Sequence, residues 1–294
     1  MPGRRKFDVC VIGLGNWGTS LTAALADAGM PPREIVVRRR RRGQSFVVTW
    51  NEANFDARIL WLCVPDSAVS EAAAEIVRHR RDLQGQIVVH SSGALTVDAL
   101  EPARRAGAAA ASVHPAMTFP TRRAVLVNGV LFGIEARDAA TRRTLDAVVR
   151  RLGRRPFNVS SKNKALYHAA GTFASPLLVA ELAAAIETAR LAGLSRRDAL
   201  LWVESLARAT FGNVFSRGPA PSFSGPFARG DAGTIELHLQ ALHQHPILAG
   251  LYRSLAVWAL DSLPVQNSGA LEEALHTSGK QESKQRGAKP TMRD

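Results

Sequence analysis

Phe7-Asp8-Val9-Cys10-Val11-Ile12-Gly13-Leu14-Gly15-Asn16-Trp17-Gly18 runs an apolar strand pattern into a GxGxxG loop, and Thr19 to Ala28 continues it with helical spacing. In such a unit the first glycine permits a tight turn and the second lets backbone N–H groups approach a pyrophosphate. The third allows close packing of a helix whose positive end faces that anion. A second strand-like run, Glu34-Ile35-Val36-Val37, follows at the right distance for a βαβ unit. Residues Gly13, Leu14, Gly15, Asn16, Trp17 and Gly18 are therefore expected to bind a dinucleotide.

The end of the second run narrows the cofactor. A fold that prefers NAD places an acidic residue about 20 positions beyond the glycine loop, where it accepts the ribose 2′-hydroxyl. Here Arg38, Arg39, Arg40, Arg41 and Arg42 stand there instead. Guanidinium groups match a phosphate bidentately, which favours NADP, with Arg38 and Arg39 nearest the strand end as the expected contacts. A solvated basic loop or a nucleic-acid patch is the alternative.

Composition bounds the remaining classes. The chain has 294 residues, 46% of them apolar, enough for one large or two ordinary domains. No run of about 18 uncharged apolar residues is present, and Met1 to Lys6 leads into a strand rather than a signal-peptide core, so a cytoplasmic protein without membrane association is expected. Cys10 and Cys63 lie in apolar runs and read as core residues; no metal site is expected. The net charge of +13 raises nucleic-acid binding. Outside residues 38–42, however, the arginines come as dispersed pairs without interleaved aromatics, which reads as a solvated surface.

Strand-like runs at Val9–Ile12, Ile35–Val37, Ile59–Val64, Ile87–His90, Ala110–Val113 and Leu131–Ala136 alternate with helical patterns. The fold class is α/β, a doubly wound, mainly parallel Rossmann sheet followed by an all-α C-terminal domain. The expected boundaries are 1–157 for the cofactor domain, 158–265 for a helical substrate and dimerisation domain, and 266–294 for a polar, disordered tail. One helix is expected from about Lys162 to Ala192, ended by Gly193, and Ser195 with Asp198 reads as a capping box for the next. Apolar helices of this length need a partner surface, so a homodimer through the C-terminal helices is expected.

Ligands of such sheets lie beyond the C-terminal strand ends. That singles out Val64-Pro65-Asp66-Ser67, His90-Ser91-Ser92-Gly93 and His114-Pro115-Ala116-Met117-Thr118-Phe119, with Val64 and Pro65 facing the cofactor and Ser91 and Ser92 the substrate. Lys164, His168, Thr172 and Ser175 form a polar stripe at helical spacing, with Tyr167 beside it. Lys162 and Lys164 are the only lysines between residues 7 and 279. Lysine can release a proton near neutrality when buried and arginine cannot, so Lys164 or His168 is the candidate acid, and His114, the third expected catalytic residue, would orient the substrate with Ser91 and Ser92. Ser224 to Asp231 reads as a structured non-helical loop, in which Arg229 could hold an anion and Asp231 could cap the next helix or hold Arg229.

Taken together, the glycine loop, Val64-Pro65-Asp66, His90 to Leu95, His114 to Phe119, Tyr167-His168-Ala169-Ala170 and Gly225 to Asp231 resemble a bacterial family of Rossmann-like proteins with a helical C-terminal domain of unassigned function, over residues 7–260. That family is similar in fold to pyrroline-5-carboxylate reductase, ketopantoate reductase, the 6-phosphogluconate and β-hydroxyacid dehydrogenases, and NADP oxidoreductases that use a deazaflavin. The resemblance implies NADP binding and a dimer. It points to hydride transfer with a small carbonyl or imino acid, by fold kinship a 2-oxo acid of the ketopantoate type; a noncatalytic NADP-binding sensor or scaffold is the alternative. One departure stands out: Ser175-Pro176 replaces the usual Ser-Asn, and proline cannot hold substrate as that asparagine does.

Overall fold

The computed structural model describes residues 7–40, 47–121, 126 and 129–276. Arg41 and Arg42 of the basic run and residues 277–294 of the tail lie outside them.

Eight strands form one sheet: β1 (Val9–Ile12), β2 (Glu34–Val37), β3 (Val48–Thr49), β4 (Ile59–Leu62), β5 (Ile87–His90), β6 (Ala109–Pro115), β7 (Leu131–Ala136) and β8 (Arg155–Asn158). Their order is β3-β2-β1-β4-β5-β6-β7-β8, and every neighbouring pair is parallel except the antiparallel β6 and β7. The order reverses between β1 and β4, which makes their carboxyl ends the switch point where such sheets bind ligands. β3 and β8 are absent from the sequence-based reading. Two residues are too few to show a period, and Pro156, which cannot donate to a ladder, is confined to an edge strand.

Alternation along the strands builds two cores. Val9, Val11, Trp61 and Val89 pack on one face with Leu21 and Leu25 of α1 (Asn16–Asp27). Leu145 and Val148 of α4 (Ala139–Arg151) share that face. Cys10, Ile12, Leu60 and Val88 face the other way, onto Ala73 and Ile76 of α2 (Val69–His79) and Ala103 of α3 (Glu101–Arg105). Cys10 and Cys63 are free thiols, both pushed well above the ordinary value by burial.

The first compact unit extends to Leu177, past the expected boundary after residue 157, because α5 (Lys164–Thr172) packs its side chains onto the sheet. The helix expected to run unbroken to Ala192 is interrupted by a π-helical segment, Phe173–Leu177, which contains Pro176. Proline removes one N–H and crowds the preceding turn, and a wider turn relieves that clash. The helical run Ser161–Leu191 has a mean hydropathy of 1.6 over its 18-residue window, so by length and composition alone it could cross a bilayer, contrary to expectation. Its beginning is committed to the sheet through Lys164 and Tyr167.

The second unit begins at Leu178 and is helical: α6 (Leu178–Leu191), α7 (Arg196–Arg217), α8 (Pro219–Ser222), α9 (Gly225–Arg229), α10 (Ala232–Ala241) and α11 (Pro246–Ser262). Ser195 accepts the Asp198 N–H, capping α7. Ser224 to Asp231 is not the expected non-helical loop. Pro226 opens the short α9, and Gly230, at φ 69°, ends it in the left-handed region. Residues 268–276, expected to be disordered, are helical; Leu271 and Leu275 are buried with Ile235 and Leu239. Their polar sequence neighbourhood concealed four-residue apolar spacing. Of the 22 residues of α7 only Ala199 and Val203 are buried, while Leu200, Leu201, Trp202, Leu206 and Phe215 are exposed.

Candidate functional site

The register sets Ile12, Leu62 and His90 level across β1, β4 and β5, so Gly13, Cys63 and Ser91 leave the sheet side by side. Gly13 has φ 102°, and its backbone lies so close to Cys63 that a Cβ would come within 2.6 Å of the Cys63 carbonyl oxygen. A Cβ on Gly18 would overlap the Gly13 carbonyl oxygen, whereas one on Gly15 would meet nothing within 4 Å. Gly15 is also the N-cap of α1, where no side chain satisfies the first N–H groups. From this loop a cleft of about 430 Å³ opens, lined among others by Gly13, Val37, Arg38, Trp50, Val64 and Glu71. Arg38 and Arg39 are exposed at the end of β2. Arg40 is engaged: its Nε donates to the Val47 carbonyl at 2.9 Å and its guanidinium pairs with Glu52.

Asn16 and Trp17 turn inward. The Asn16 amide donates to the Phe119 carbonyl at 2.8 Å, tying the glycine loop to the segment after β6. The indole N–H groups of Trp17 and Trp61 donate to the same acceptor, Ser91 Oγ, at 2.7 and 2.8 Å. Leu14 packs at the edge of a small cluster with Ile35 and Val47, and Pro65 is the N-cap of a one-turn 3₁₀ helix, Asp66–Ala68.

The loop after β5 is closed on itself. Ser92 Oγ donates to Asp66 at 2.7 Å and accepts the N–H groups of Ala94 and Leu95. His90 Nδ1 accepts the Ser92 N–H, which leaves Nε2–H to donate to the Thr96 carbonyl at 3.1 Å. Burial, and then the charge of Lys164, push the His90 imidazole down to about 4, so it is neutral near pH 7.

His114, near the end of β6, lies 2.6 Å from the Tyr167 hydroxyl through its Nδ1. The His168 ring stands edge-on to it, 6.0 Å between centroids. Two glycines make the room: a Cβ on Gly93 would come within 2.5 Å of His168 and 2.8 Å of His114, and one on Gly133 within 2.9 Å of the Tyr167 hydroxyl. Burial first, then the neighbouring His168 and Lys164, push His114 down to about 4; burial raises Tyr167 above its ordinary value. Lys164, the expected acid, is 2% exposed with Nζ 2.6 Å from Glu135 of β7. Burial lowers its ammonium against the pull of that carboxylate. Glu135 also accepts the Ser161 hydroxyl and the Val97 N–H; burial raises its carboxyl, but Lys164 first, then Ser161 and Val97, outweigh it and hold the group below its ordinary value.

His114, Tyr167, His168 and Lys164 thus lie in the first unit, and Gly93 brings the loop that carries Ser91 and Ser92 against the two histidines, while the side chains of those serines bond to Trp17, Trp61 and Asp66. Arg229 and Asp231 belong to the second: Asp231 caps α10 by accepting the Thr234 N–H and hydroxyl, and Arg229 is exposed. Glu135 and Trp61 escaped the sequence-based reading, although Glu135 is the one charge in the apolar run Leu131–Ala136 and could have been noticed there.

Residues 3–115 match the pattern of a Rossmann-like domain, and residues 130–258 that of a domain of unknown function, DUF2520. The chain therefore joins a Rossmann-like domain to a DUF2520 domain. No curated protein matches it. Among solved structures it is similar to a candidate NADP oxidoreductase from Bacteroides fragilis, with 24% identity and a TM-score of 0.69 over 86% of this chain and 98% of the other. It is similar to a reductive aminase from Aspergillus terreus in complex with NADPH and ethyl-5-oxohexanoate, with 14% identity and a TM-score of 0.64 over 91% and 99%. It also resembles a pyrroline carboxylate reductase from Plasmodium falciparum with NADP bound, with 14% identity and a TM-score of 0.57 over 95% and 99%. At these identities the likeness establishes the fold.

Proposed function

We propose that the protein is an NADP-dependent oxidoreductase that moves hydride between NADP(H) and a small carbonyl or imine compound. The observation that carries this is the glycine loop at the switch point: Gly15 is open to a ligand, the N–H groups of α1 have no side-chain cap, and the adjoining cleft runs out to Arg38. The NADPH held by the Aspergillus terreus reductive aminase and the NADP held by the Plasmodium falciparum reductase support the choice of cofactor. Arg38 and Arg39 would hold the 2′-phosphate, while Arg40, spent on Glu52 and Val47, would not.

Bound there, the nicotinamide supplies or accepts a hydride. The chain's own task is the proton. His114, neutral at pH 7, is a poor acid alone, because losing Nε2–H would leave an imidazolate. With the Tyr167 hydroxyl donating to Nδ1, His114 can release its Nε2 proton to the substrate oxygen or nitrogen as Nδ1 takes the tyrosine proton. One proton is delivered, and the tyrosinate left behind regains one from solvent. Lys164 acts as a positioning residue, fastening the start of α5 to Glu135 and helping to keep His90 and His114 uncharged. The exposed apolar residues of α7 support a homodimer through the second unit, which sedimentation equilibrium tests.

The test of activity is NADPH oxidation followed at 340 nm against aldehydes, ketones, 2-oxo acids and ketone–amine mixtures. Turnover of at least one class is expected, lowered about 10²-fold or more by His114→Ala. Tight NADPH binding with no turnover of any class would favour a noncatalytic NADP-binding sensor, the reading that Pro176 at the π segment supports.

A further inference from the structure

We propose that Ser91 is a preset hydrogen-bond donor that takes the carboxamide oxygen of the nicotinamide and so fixes which way the ring faces. This assignment rests on the dinucleotide reading above. A serine hydroxyl has two lone pairs and one proton. At Ser91 both lone pairs are filled, by the indoles of Trp17 and Trp61 at 2.7 and 2.8 Å. An indole has one N–H and no acceptor, so neither tryptophan can reverse its bond. The Ser91 proton is left pointing away from both rings, and among the described residues no acceptor receives it. Ser92 is the contrast: its proton is spent on Asp66 and its lone pairs on two backbone N–H groups. Of two adjacent serines, one closes a loop and the other is held ready to give a proton bond outward.

Position identifies what it meets. Ser91 leaves the sheet level with Gly13, two strands away, roughly 10 Å at ordinary strand spacing. That is the span from a pyrophosphate on the α1 N-terminus to the nicotinamide end of the same molecule. The partner must be an acceptor that needs no charge, because the one cation of the cluster, Lys164, is committed to Glu135. A carboxamide oxygen fits; a carboxylate or phosphate would lack its counter-ion. The two donors also come from different elements, Trp17 from the first turn of α1 and Trp61 from buried β4, so the hydroxyl is oriented by the framework rather than by its own rotamer.

The test is calorimetric titration of the full chain with NADP, its 3-acetylpyridine analogue, which keeps the carbonyl, and its thionicotinamide analogue, whose sulfur accepts poorly. Wild type should bind the first two alike and the thio analogue about tenfold more weakly; Ser91→Ala should lose about tenfold for the first two and nothing for the third. Ser91→Thr should restore the pattern. Should Ser91→Ala fail to fold, because two indoles lose their acceptor, Trp17→Phe serves: it keeps the hydroxyl but frees a lone pair, and the carbonyl preference should shrink. Equal carbonyl preference in wild type and in every folded variant overturns the assignment while leaving the cofactor reading intact. No binding of any of the three to wild type overturns that reading, and this assignment with it.

Discussion

The Tyr167 hydroxyl and His114 Nδ1, 53 positions apart in the chain, lie 2.6 Å from each other at the end of β6. Each is an incomplete acid: the imidazole is pushed down to about 4 and the phenol is raised by burial. Coupled, they can pass one proton. If they act as a unit, Tyr167→Phe and His114→Ala should each lower kcat by about 10²-fold or more, and the double variant should lose little beyond either single one. A near-normal Tyr167→Phe would show that His114 works without it. The kcat profile should be flat from pH 5.5 to 8, since neither group titrates there.

Stability should fall on mild acidification. His90 and His114 titrate near 6.5 when unfolded and near 4 when folded, so the unfolded chain binds more protons between those values. Their contribution is complete above pH 6.5 and is lost as pH drops toward 4. For fully buried His90 this is at most about 3 kcal/mol. Urea midpoints measured at pH 7, 5.5 and 4.5 should decline steadily, and His90→Gln should flatten the decline; an unchanged slope in that variant would contradict the assignment to His90.

The three glycines of the loop and Gly93 should respond differently to alanine. Gly15→Ala should fold with a normal melting temperature yet bind NADPH at least tenfold more weakly, because its Cβ occupies space open only until a pyrophosphate arrives. Gly13→Ala and Gly18→Ala should destabilise the fold itself, since each Cβ meets backbone. Gly93→Ala should bind NADPH but lose turnover, its methyl group displacing His114 and His168. Circular-dichroism melts combined with binding curves separate these outcomes.

Lys164→Met should destabilise by about 3–5 kcal/mol, because it strands a buried carboxylate, and Lys164→Met with Glu135→Leu should recover most of that loss. Chemical denaturation of the four species in the cycle reads the coupling directly. A Lys164→Met variant as stable as wild type, yet without turnover, would return Lys164 to the role of acid.

What was legible in the sequence had a local cause. The alternation in Val9 to Ile12, the glycine spacing and the Ser195 to Asp198 cap each arise within a few residues. The polar stripe on α5 was visible as well, but not its bonds. Whether Lys164 faces substrate or Glu135 depends on β7 lying two strands beyond β5, an arrangement set by sheet order. The shared acceptor of Trp17 and Trp61 depends likewise on three strand ends standing level. β8 was hidden by Pro156, and the helix at 268–276 by a polar setting.

The central claim is that the open turn at Gly13 to Gly18 holds a phosphorylated dinucleotide, with Arg38 beside its ribose. Titrating NADPH and NADH into the wild-type chain and Arg38→Ala tests it most directly. NADPH should bind wild type at least tenfold more tightly than NADH, and the variant should lose that preference without losing NADH. Equal affinity for the two coenzymes in wild type, or no heat of binding from either, would contradict it.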